Sequence, residues 1–246
     1  MDINQSWNST CKTVFGQEIG DLSKFKDYLK EAVPGKSVFS SFSQRPLFVG
    51  SGEYPMLGRY FDDSAERALV EKQNQPFKLD QIKDIDTLTS TLKERFVYGA
   101  NKTQGRCEEI QSSDFVVDSI NVLGSAHILR GKNIAYSYKA RDCESIFGST
   151  AFGYGANAIR AYYNKGITRV FECTTCETIT DSLFCYQTFN SSDCMFCFNS
   201  RNRRHCVANV QLSKEQYAKL KSTLLEQIVG ELTRKGRLDF STIELV

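Results

Sequence analysis

The chain has 246 residues, which is enough for one large domain or two small ones with a substantial core. Its formal net charge of +2 does not indicate a polyelectrolyte binder. The polar first ten residues lack the basic and apolar parts of a secretory signal, and no uncharged run approaches the roughly 20 residues needed to cross a bilayer. The composition therefore predicts a soluble, cytoplasmic protein.

The first 106 residues predict a mixed α/β region. Apolar residues at helical or strand spacing, ended by Pro and Gly, predict a helix over 21–33, a short strand over 46–55 and helices over 63–73 and 79–96. The "GSG" at 50–52 has neither the Lys-Ser/Thr of a phosphate-binding loop nor the third glycine of a dinucleotide fingerprint. We therefore interpret it as a turn.

A twelve-residue repeat without gaps fills residues 115–210, which divide into eight rows that begin with Phe115 in column 1. Columns 2, 5, 8 and 11 hold almost only small or aliphatic residues. Of the 17 charged residues in this stretch, only Arg203 falls on those columns. Column 7 is rich in Asn and Asp, which is typical of a coil corner. A period of three fits neither a helix nor a simple strand.

This pattern predicts a mainly β fold with a narrow right-handed β-solenoid of about eight twelve-residue turns. Four inward columns per turn leave room only for small side chains, whereas the Leu, Phe and Tyr residues of columns 9, 10 and 12 must point outward. The alternative is 24 residues per turn, because Tyr138, Tyr162 and Tyr186 recur in every second row. We favour twelve.

The C-terminal part predicts the clearest helix of the chain, over 213–236. Ser213 and Gln216 make a capping box, and apolar residues from Tyr217 to Leu232 line one face. The predicted organisation is therefore an N-terminal mixed α/β region (1–106), a solenoid (107–212) and a C-terminal capping helix with a tail (213–246).

The repeat resembles two groups of proteins. Its spacing over 115–210 is similar to that of the insect antifreeze β-helices, although it lacks their Thr-x-Thr face and their paired cysteines, so ice binding is not implied. The stretches "GKNIAYSYKARDCESIFGS" and "DCMFCFNSRNRRHCVANVQLSKEQY" resemble uncharacterised Cys-rich repeat proteins of archaea and candidate-phylum bacteria. That second resemblance implies an intracellular protein and no particular catalytic activity.

The cysteines have two interpretations. Cys173, Cys176, Cys194 and Cys197 have the spacing of a four-cysteine zinc ribbon. The repeat offers another explanation, because Cys173, Cys185 and Cys197 share column 11 while Cys194 and Cys206 share column 8. Free cysteine packs as a small apolar residue, so we favour an interior ladder and keep a structural zinc site and disulfides as alternatives.

Two outward features are candidate binding surfaces. The first is an apolar stripe in column 9 that comprises Leu123, Phe147, Ile159, Phe171, Leu183 and Met195. A stripe of this size is not left bare on a soluble monomer, so either the chain's own terminal regions cover it, which we favour, or another protein does. The second is a basic cluster in the last coil, formed by Arg201, Arg203 and Arg204, which we interpret as a charged cap that protects the coil end.

No catalytic motif of the hydrolase, metalloprotease or nucleotide-binding kinds is present, and both histidines fall on outward columns. The sequence therefore predicts a non-enzymatic scaffold or binding protein that presents a rigid solenoid face to another macromolecule. The expected partner is a protein or a second copy of the chain, with no membrane and no nucleic acid. The alternatives are a zinc-binding module and a β-helix enzyme with an unrecognised active site.

Overall fold

A computed structural model describes residues 2–31, 33–50, 58–78, 80, 82–150, 153, 155–162 and 166–242, with only the backbone described at 155, 156, 162 and 167. The chain is mainly β, with an N-terminal α/β region, a central β-solenoid and a C-terminal helix, as the sequence predicts.

The N-terminal region contains four helices and four short strands among its described residues. They are α1 (Ile3–Phe15), a 3-10 turn (Leu22–Phe25) that leads into α2 (Lys26–Lys30), β1 (Lys36–Phe39), β2 (Pro46–Val49), β3 (Tyr60–Asp62), α3 (Arg67–Gln73), α4 (Ile85–Arg95) and β4 (Tyr98–Ala100). The predicted helices and the strand over 46–55 are present in shorter form. Of the "GSG" turn, residues 51 and 52 lie outside the described residues.

Helix α1 was not predicted, although its ends and its buried face are both encoded in the sequence. Asp2 and Gln5 form a capping box at its start, and Gly16 ends it in the left-handed conformation with φ 79°. Its buried residues include Trp7, Cys11 and Phe15, which share one helical face. The mostly polar composition of the segment hid this narrow apolar face.

Strands β1 and β2 pair antiparallel, and β3 pairs with β4 in parallel. Their shared core is small and contains Leu47, Val49, Tyr60 and Ala100. Asp114, at the first turn of the coil, joins this unit to the solenoid because its carboxylate accepts the backbone N–H groups of Gly50 and Lys102.

All but the last of the solenoid strands stack in parallel from turn to turn. They are β5 (Thr103–Gln104), β6 (Glu108–Gln111), β7 (Asp114–Val117), β8 (Ile120–Leu123), β9 (Ala126–Leu129), β10 (Lys132–Ala135), β11 (Cys143–Phe147), β12 (Gly155–Ala156), β13 (Ile159–Tyr162), β14 (Ile167–Thr168), β15 (Phe171–Thr174), β16 (Ile179–Thr180), β17 (Leu183–Phe189), β18 (Ser191–Met195), β19 (Phe198–Arg201), β20 (Arg204–Val207) and β21 (Val210–Gln211). Val122 pairs with Ile134, and Ile134 pairs with Ile146, so each turn advances the chain by twelve residues. This register rejects the alternative of 24 residues per turn.

Every third residue of the coil has a positive φ. From Glu109 to Ala208, all described residues of columns 1, 4, 7 and 10 have φ between 42° and 73°. Each triplet therefore consists of a left-handed residue, an inward residue and an outward residue, and four triplets close one turn. Each left-handed residue bends the chain, and the four bends together let twelve residues form one complete turn of the coil.

The interior is narrow, as the small residues of columns 2, 5, 8 and 11 predict. A Cβ atom added to Gly131, in column 5, would lie 2.6 Å from Ile128 Cγ2 and 2.9 Å from Ile134 Cδ1. Buried hydroxyls are satisfied from turn to turn: Ser125 Oγ donates to the Leu123 carbonyl and accepts the backbone N–H of Ser137. The interior therefore combines close packing with complete hydrogen bonding of its serines.

The C-terminal end of the coil is closed by a change of strand direction. Strand β21 pairs antiparallel with β20, which ends the parallel stacking. Helix α5 (Lys214–Lys235) then begins at Ser213, whose capping box with Gln216 is confirmed, and ends at Gly236 with φ 74°. Tyr217, Ile228 and Leu232 of the predicted apolar face are buried.

Candidate interaction surface

The column 9 stripe is covered by the protein's own terminal segments. Phe147, Phe171 and Met195 are 0% exposed, Ile159 and Leu183 are almost fully buried, and Leu123 is partly buried. They form one core with residues of α1, the 3-10 turn, α2, α5 and the C-terminal tail. Five of these six residues are therefore core residues, and Leu123 packs at the edge of the same core, so the chain's own terminal segments cover the stripe.

Helix α1 runs along the coil axis above this stripe. The Trp7 ring lies 5.2 Å from the ring of Phe147, and the Phe15 ring lies 4.8 Å from that of Phe171. Eight helical residues rise about 12 Å, and the two coil turns that separate the two phenylalanines span about 9.6 Å. A helix lying lengthwise on the coil meets this spacing, and each of its aromatic residues contacts a different turn.

Column 10, next to the stripe, carries a buried ion pair. Arg160 Nε lies 2.9 Å from Glu172 Oε1, and both side chains are almost completely buried. Glu172 also accepts hydrogen bonds from the Tyr28 hydroxyl and from the Thr242 backbone N–H, so it joins α2 and the C-terminal tail to the coil. Burial raises the pKa of Glu172, whereas the Arg160 charge lowers it.

The cysteines of the coil lie on inward columns, as the interior ladder predicts. Cys173, Cys176, Cys185, Cys194, Cys197 and Cys206 are buried, and all belong to the core inside the coil together with Cys143. Strand pairing places Cys173 against Cys185 and Cys194 against Cys206 on consecutive turns. Burial raises the pKa of Cys143 to about 11, so this thiol stays neutral.

The four cysteines with zinc-ribbon spacing do not surround a common point. Cys173 and Cys176 form a disulfide across one corner of the coil. Cys197 lies two turns further along column 11, about 9.6 Å from Cys173 along the axis, whereas two sulfurs that each lie about 2.3 Å from one zinc ion are at most about 4.6 Å apart. Within the part of the chain that the structure describes, no three His, Cys, Asp or Glu residues are arranged to hold a metal ion.

The remaining thiols at this end interact with one another. Each thiol donates hydrogen bonds to backbone carbonyl groups: Cys185 to Leu183 and Cys194, and Cys197 to Met195 and Cys206. The neighbouring Cys197 thiol and burial raise the pKa of Cys185 and Cys194. The neighbouring Cys185 and Cys194 thiols lower the pKa of Cys197. A charge on this cluster would therefore reside on Cys197, but none of the three sulfur atoms is in contact with solvent. Thiolate chemistry needs access, so the arrangement is suited to packing.

The basic cluster lies at the end of the coil, where the sequence predicts a cap. Arg201, Arg203 and Arg204 are all exposed. The Arg201 guanidinium stacks over the Phe189 ring at 4.6 Å, and Arg204 approaches the Asp193 carboxylate at 3.8 Å. Arg203 occupies an inward column, yet it remains exposed because it belongs to the final turn.

The side of the coil formed by columns 4, 6 and 7, here called the polar face, carries ion pairs between consecutive turns. Arg130 pairs with Asp142, Lys132 with Glu144 and Arg169 with Asp181, at 2.5, 3.1 and 3.2 Å. Exposed pairs of this kind stabilise a protein only weakly. They do balance the charges of this face internally, as expected of a surface that remains in water.

The opposite side, columns 12, 1 and 3, is here called the aromatic face. Its aromatic side chains with described positions are Phe115, His127 and Tyr138 near the start of the coil, and Tyr186, Phe189 and Phe198 near its end. Phe115 and Phe198 are 47% and 49% exposed, and the other four are partly exposed. The rings of Phe115 and His127 stack at 4.8 Å. None of these six side chains belongs to the core formed with α1 and α5, and the sequence pattern gives no indication of a role for this face.

Comparisons with protein-family models, with curated proteins and with solved structures find no match to this chain. Among the described residues, no helix is both long enough and apolar enough to cross a membrane.

Proposed function

We propose that the protein is a non-enzymatic binding protein that uses the aromatic face of its solenoid to bind another protein. The single observation that carries this proposal is the partly exposed set of six aromatic side chains on one side of the coil. Aromatic residues are enriched at protein–protein interfaces because they offer large contact areas at low conformational cost. Most of the backbone beneath them is held by parallel pairing to neighbouring turns, so the surface is preorganised.

The tyrosine spacing favours a proline-rich partner segment. Tyr138 and Tyr186 occupy column 12, and Tyr162 takes the register position midway between them, with its side chain outside the described part. Tyrosines on every second turn are spaced by about 9.6 Å. One turn of a polyproline II helix rises about 9.3 Å. A polyproline II segment lying along the coil axis would therefore meet Tyr138 and Tyr186, which are four coil turns apart, at equivalent positions two helical turns apart.

This proposal is tested with synthetic nine-residue oligoproline and an equally long Gly/Ser peptide, titrated into the protein by isothermal calorimetry. We expect saturable binding of oligoproline and none of the Gly/Ser peptide. Tyr138→Ala and Tyr186→Ala should each weaken binding about tenfold, which is the loss for removing one interface hot spot. Because both side chains are partly exposed, the thermal midpoint of each variant should remain close to that of the wild type.

Phe96→Ala is the matched control, since Phe96 is 63% exposed and lies outside the coil. It should leave the affinity unchanged. Equal losses of affinity in all three variants would show that oligoproline binds exposed aromatic rings in general, and would contradict a specific binding site on the aromatic face. An absence of oligoproline binding to the wild type would contradict the proposed partner.

A further inference from the structure

A polar cleft of about 270 Å³ lies between α2, the β1–β2 hairpin and the first turns of the coil. Its lining includes Lys26, Lys30, Ser37, Ser112, Phe48 and Tyr136. It is separate from the aromatic face, because it opens beside columns 9 and 10. Its volume lies below that of most sites for drug-sized ligands, so a small molecule is the appropriate occupant.

The cleft has an unbalanced positive charge. Lys26 and Lys30 are one helical turn apart and face the same side of α2, where like charges repel. Among the described residues that line the cleft there is no aspartate or glutamate, and no ion pair involves either lysine. Burial and the charge of Lys26 lower the pKa of Lys30, with Asp27 opposing them.

The position of Lys30 is fixed by its surroundings. Its Nζ lies 5.6 Å from the centroid of the Phe48 ring and 5.9 Å from that of Tyr136. The two rings favour the cation but supply no hydrogen-bond acceptor for its N–H groups. The ammonium group therefore has donors to spare, in a cleft whose lining also includes the hydroxyl-bearing residues Ser37 and Ser112.

We propose that this cleft binds a small soluble molecule that carries a phosphate group. Two lysines and two hydroxyls offer more donors than the two oxygens of a carboxylate need, and they suit the three terminal oxygens of a phosphate monoester. A dianion also balances both lysine charges. The apolar residues Pro46 and Leu47, together with the Phe48 ring, offer a contact surface for the organic part of the ligand.

The test measures the binding of inorganic phosphate and phenyl phosphate to the full-length protein by isothermal calorimetry. We expect both to bind, with phenyl phosphate binding more tightly because its ring contacts the apolar lining. Lys30→Gln and Lys26→Gln should each weaken binding at least about tenfold, the effect of losing a charge-assisted hydrogen bond. Lys219→Gln, an exposed lysine on α5, is the control and should have no effect.

Lys26 is exposed, so its variant remains informative if Lys30→Gln fails to fold. Equal affinities of Lys26→Gln, Lys219→Gln and the wild type would overturn the assignment, as would a wild type that binds neither probe. Binding to phosphatidate vesicles without binding to phenyl phosphate would overturn the assignment to a soluble ligand. None of these outcomes depends on the oligoproline experiment, because the two sites share no residue.

Discussion

At the scale of single residues, the coil depends on backbone conformations that most side chains disfavour. The left-handed region costs an ordinary L-residue roughly 1–2 kcal/mol, and Asn, Asp and Gly tolerate it best. The sequence meets this requirement throughout the repeat, since columns 1, 4, 7 and 10 contain no Val, Ile or Leu over 115–208. The exclusion of Val, Ile and Leu from these columns is therefore as strict as the preference for small residues in the interior, and Thr175 and Thr178 are their only β-branched residues.

Asn202 allows this conformational cost to be measured, because it has φ 54° and its side chain is exposed. We expect Asn202→Val to lower the free energy of unfolding by about 1–3 kcal/mol, since a β-branched residue is strained in the left-handed region. Asn202→Gly should remain close to the wild type. Urea unfolding followed by circular dichroism measures both.

The control is Thr180→Val, an exposed strand residue of β16 that is not in the left-handed conformation. Its effect should stay within about 0.5 kcal/mol, as for most surface substitutions. Similar losses at Asn202 and Thr180 would mean that a buried contact or the loss of a polar group, rather than φ, determines the result.

The residue scale also shows what the sequence could and could not reveal. The inward columns were predictable because a narrow coil admits only small side chains, and Gly131 illustrates how little room remains. The left-handed columns were recognised only in column 7, where Asn and Asp are frequent. The other three columns contain long residues such as Arg160, Tyr136 and Phe184, whose type gives no indication of a positive φ. The avoidance of Val, Ile and Leu was the available signal.

At the scale of secondary-structure elements, packing positions segments whose own sequences are weak predictors. Helix α1 presents few apolar residues, but Trp7 and Phe15 meet phenylalanines two turns apart on the coil. The apolar pattern of column 9 predicted that another part of the protein covers the stripe, but it did not indicate that α1 is that part. That choice depends on matching the rise of a helix to the rise of the coil, which becomes known only from the fold.

The buried ion pair has a clear role at this scale, because Arg160 and Glu172 join α2 and the C-terminal tail to consecutive turns. We expect Arg160→Met to lower the free energy of unfolding by about 3–5 kcal/mol, because it leaves the Glu172 carboxylate buried without its cation. The double variant with Glu172→Met should recover part of the loss. Urea unfolding of the four proteins gives the coupling energy.

The loss of unfolding free energy in Arg160→Met should depend on pH. Burial already raises the pKa of Glu172, and removal of the guanidinium raises it further. A carboxyl whose pKa is raised in the folded state favours folding at low pH and loses that contribution as the pH rises through the folded pKa. The difference in unfolding free energy between Arg160→Met and the wild type should therefore become smaller as the pH is lowered toward about 4.5. Arg169→Met, which removes an exposed pair with the same twelve-residue separation, should cost less than about 1 kcal/mol at every pH.

At the scale of the whole molecule, the protein has two cores, which lie on the inner and outer sides of the same layer of coil strands. The interior core inside the coil contains the cysteines, and the second core lies outside between column 9 and the terminal segments. A bare solenoid tends to unfold turn by turn, because each repeat contacts only its neighbours. Here α1 contacts β8, β10 and β11 on three consecutive turns and should make the unfolding of these turns cooperative. The long outer stripe cannot face water without its covers.

Two natural probes can test this cooperativity. The only tryptophan, Trp7, lies in the outer core, whereas the free thiols of Cys185, Cys194 and Cys206 lie in the interior core. We expect Trp7 fluorescence and thiol reactivity to change at the same urea concentration, as they do when two regions unfold together.

Phe15→Ala should move both midpoints to lower urea by equal amounts, although Phe15 contacts only the outer core. Cys107, which is partly exposed, serves as the native-state reference for thiol labelling. A Trp7 transition at lower urea, with the interior thiols still protected, would show instead that α1 detaches from an intact coil and that the solenoid is stable without its cover.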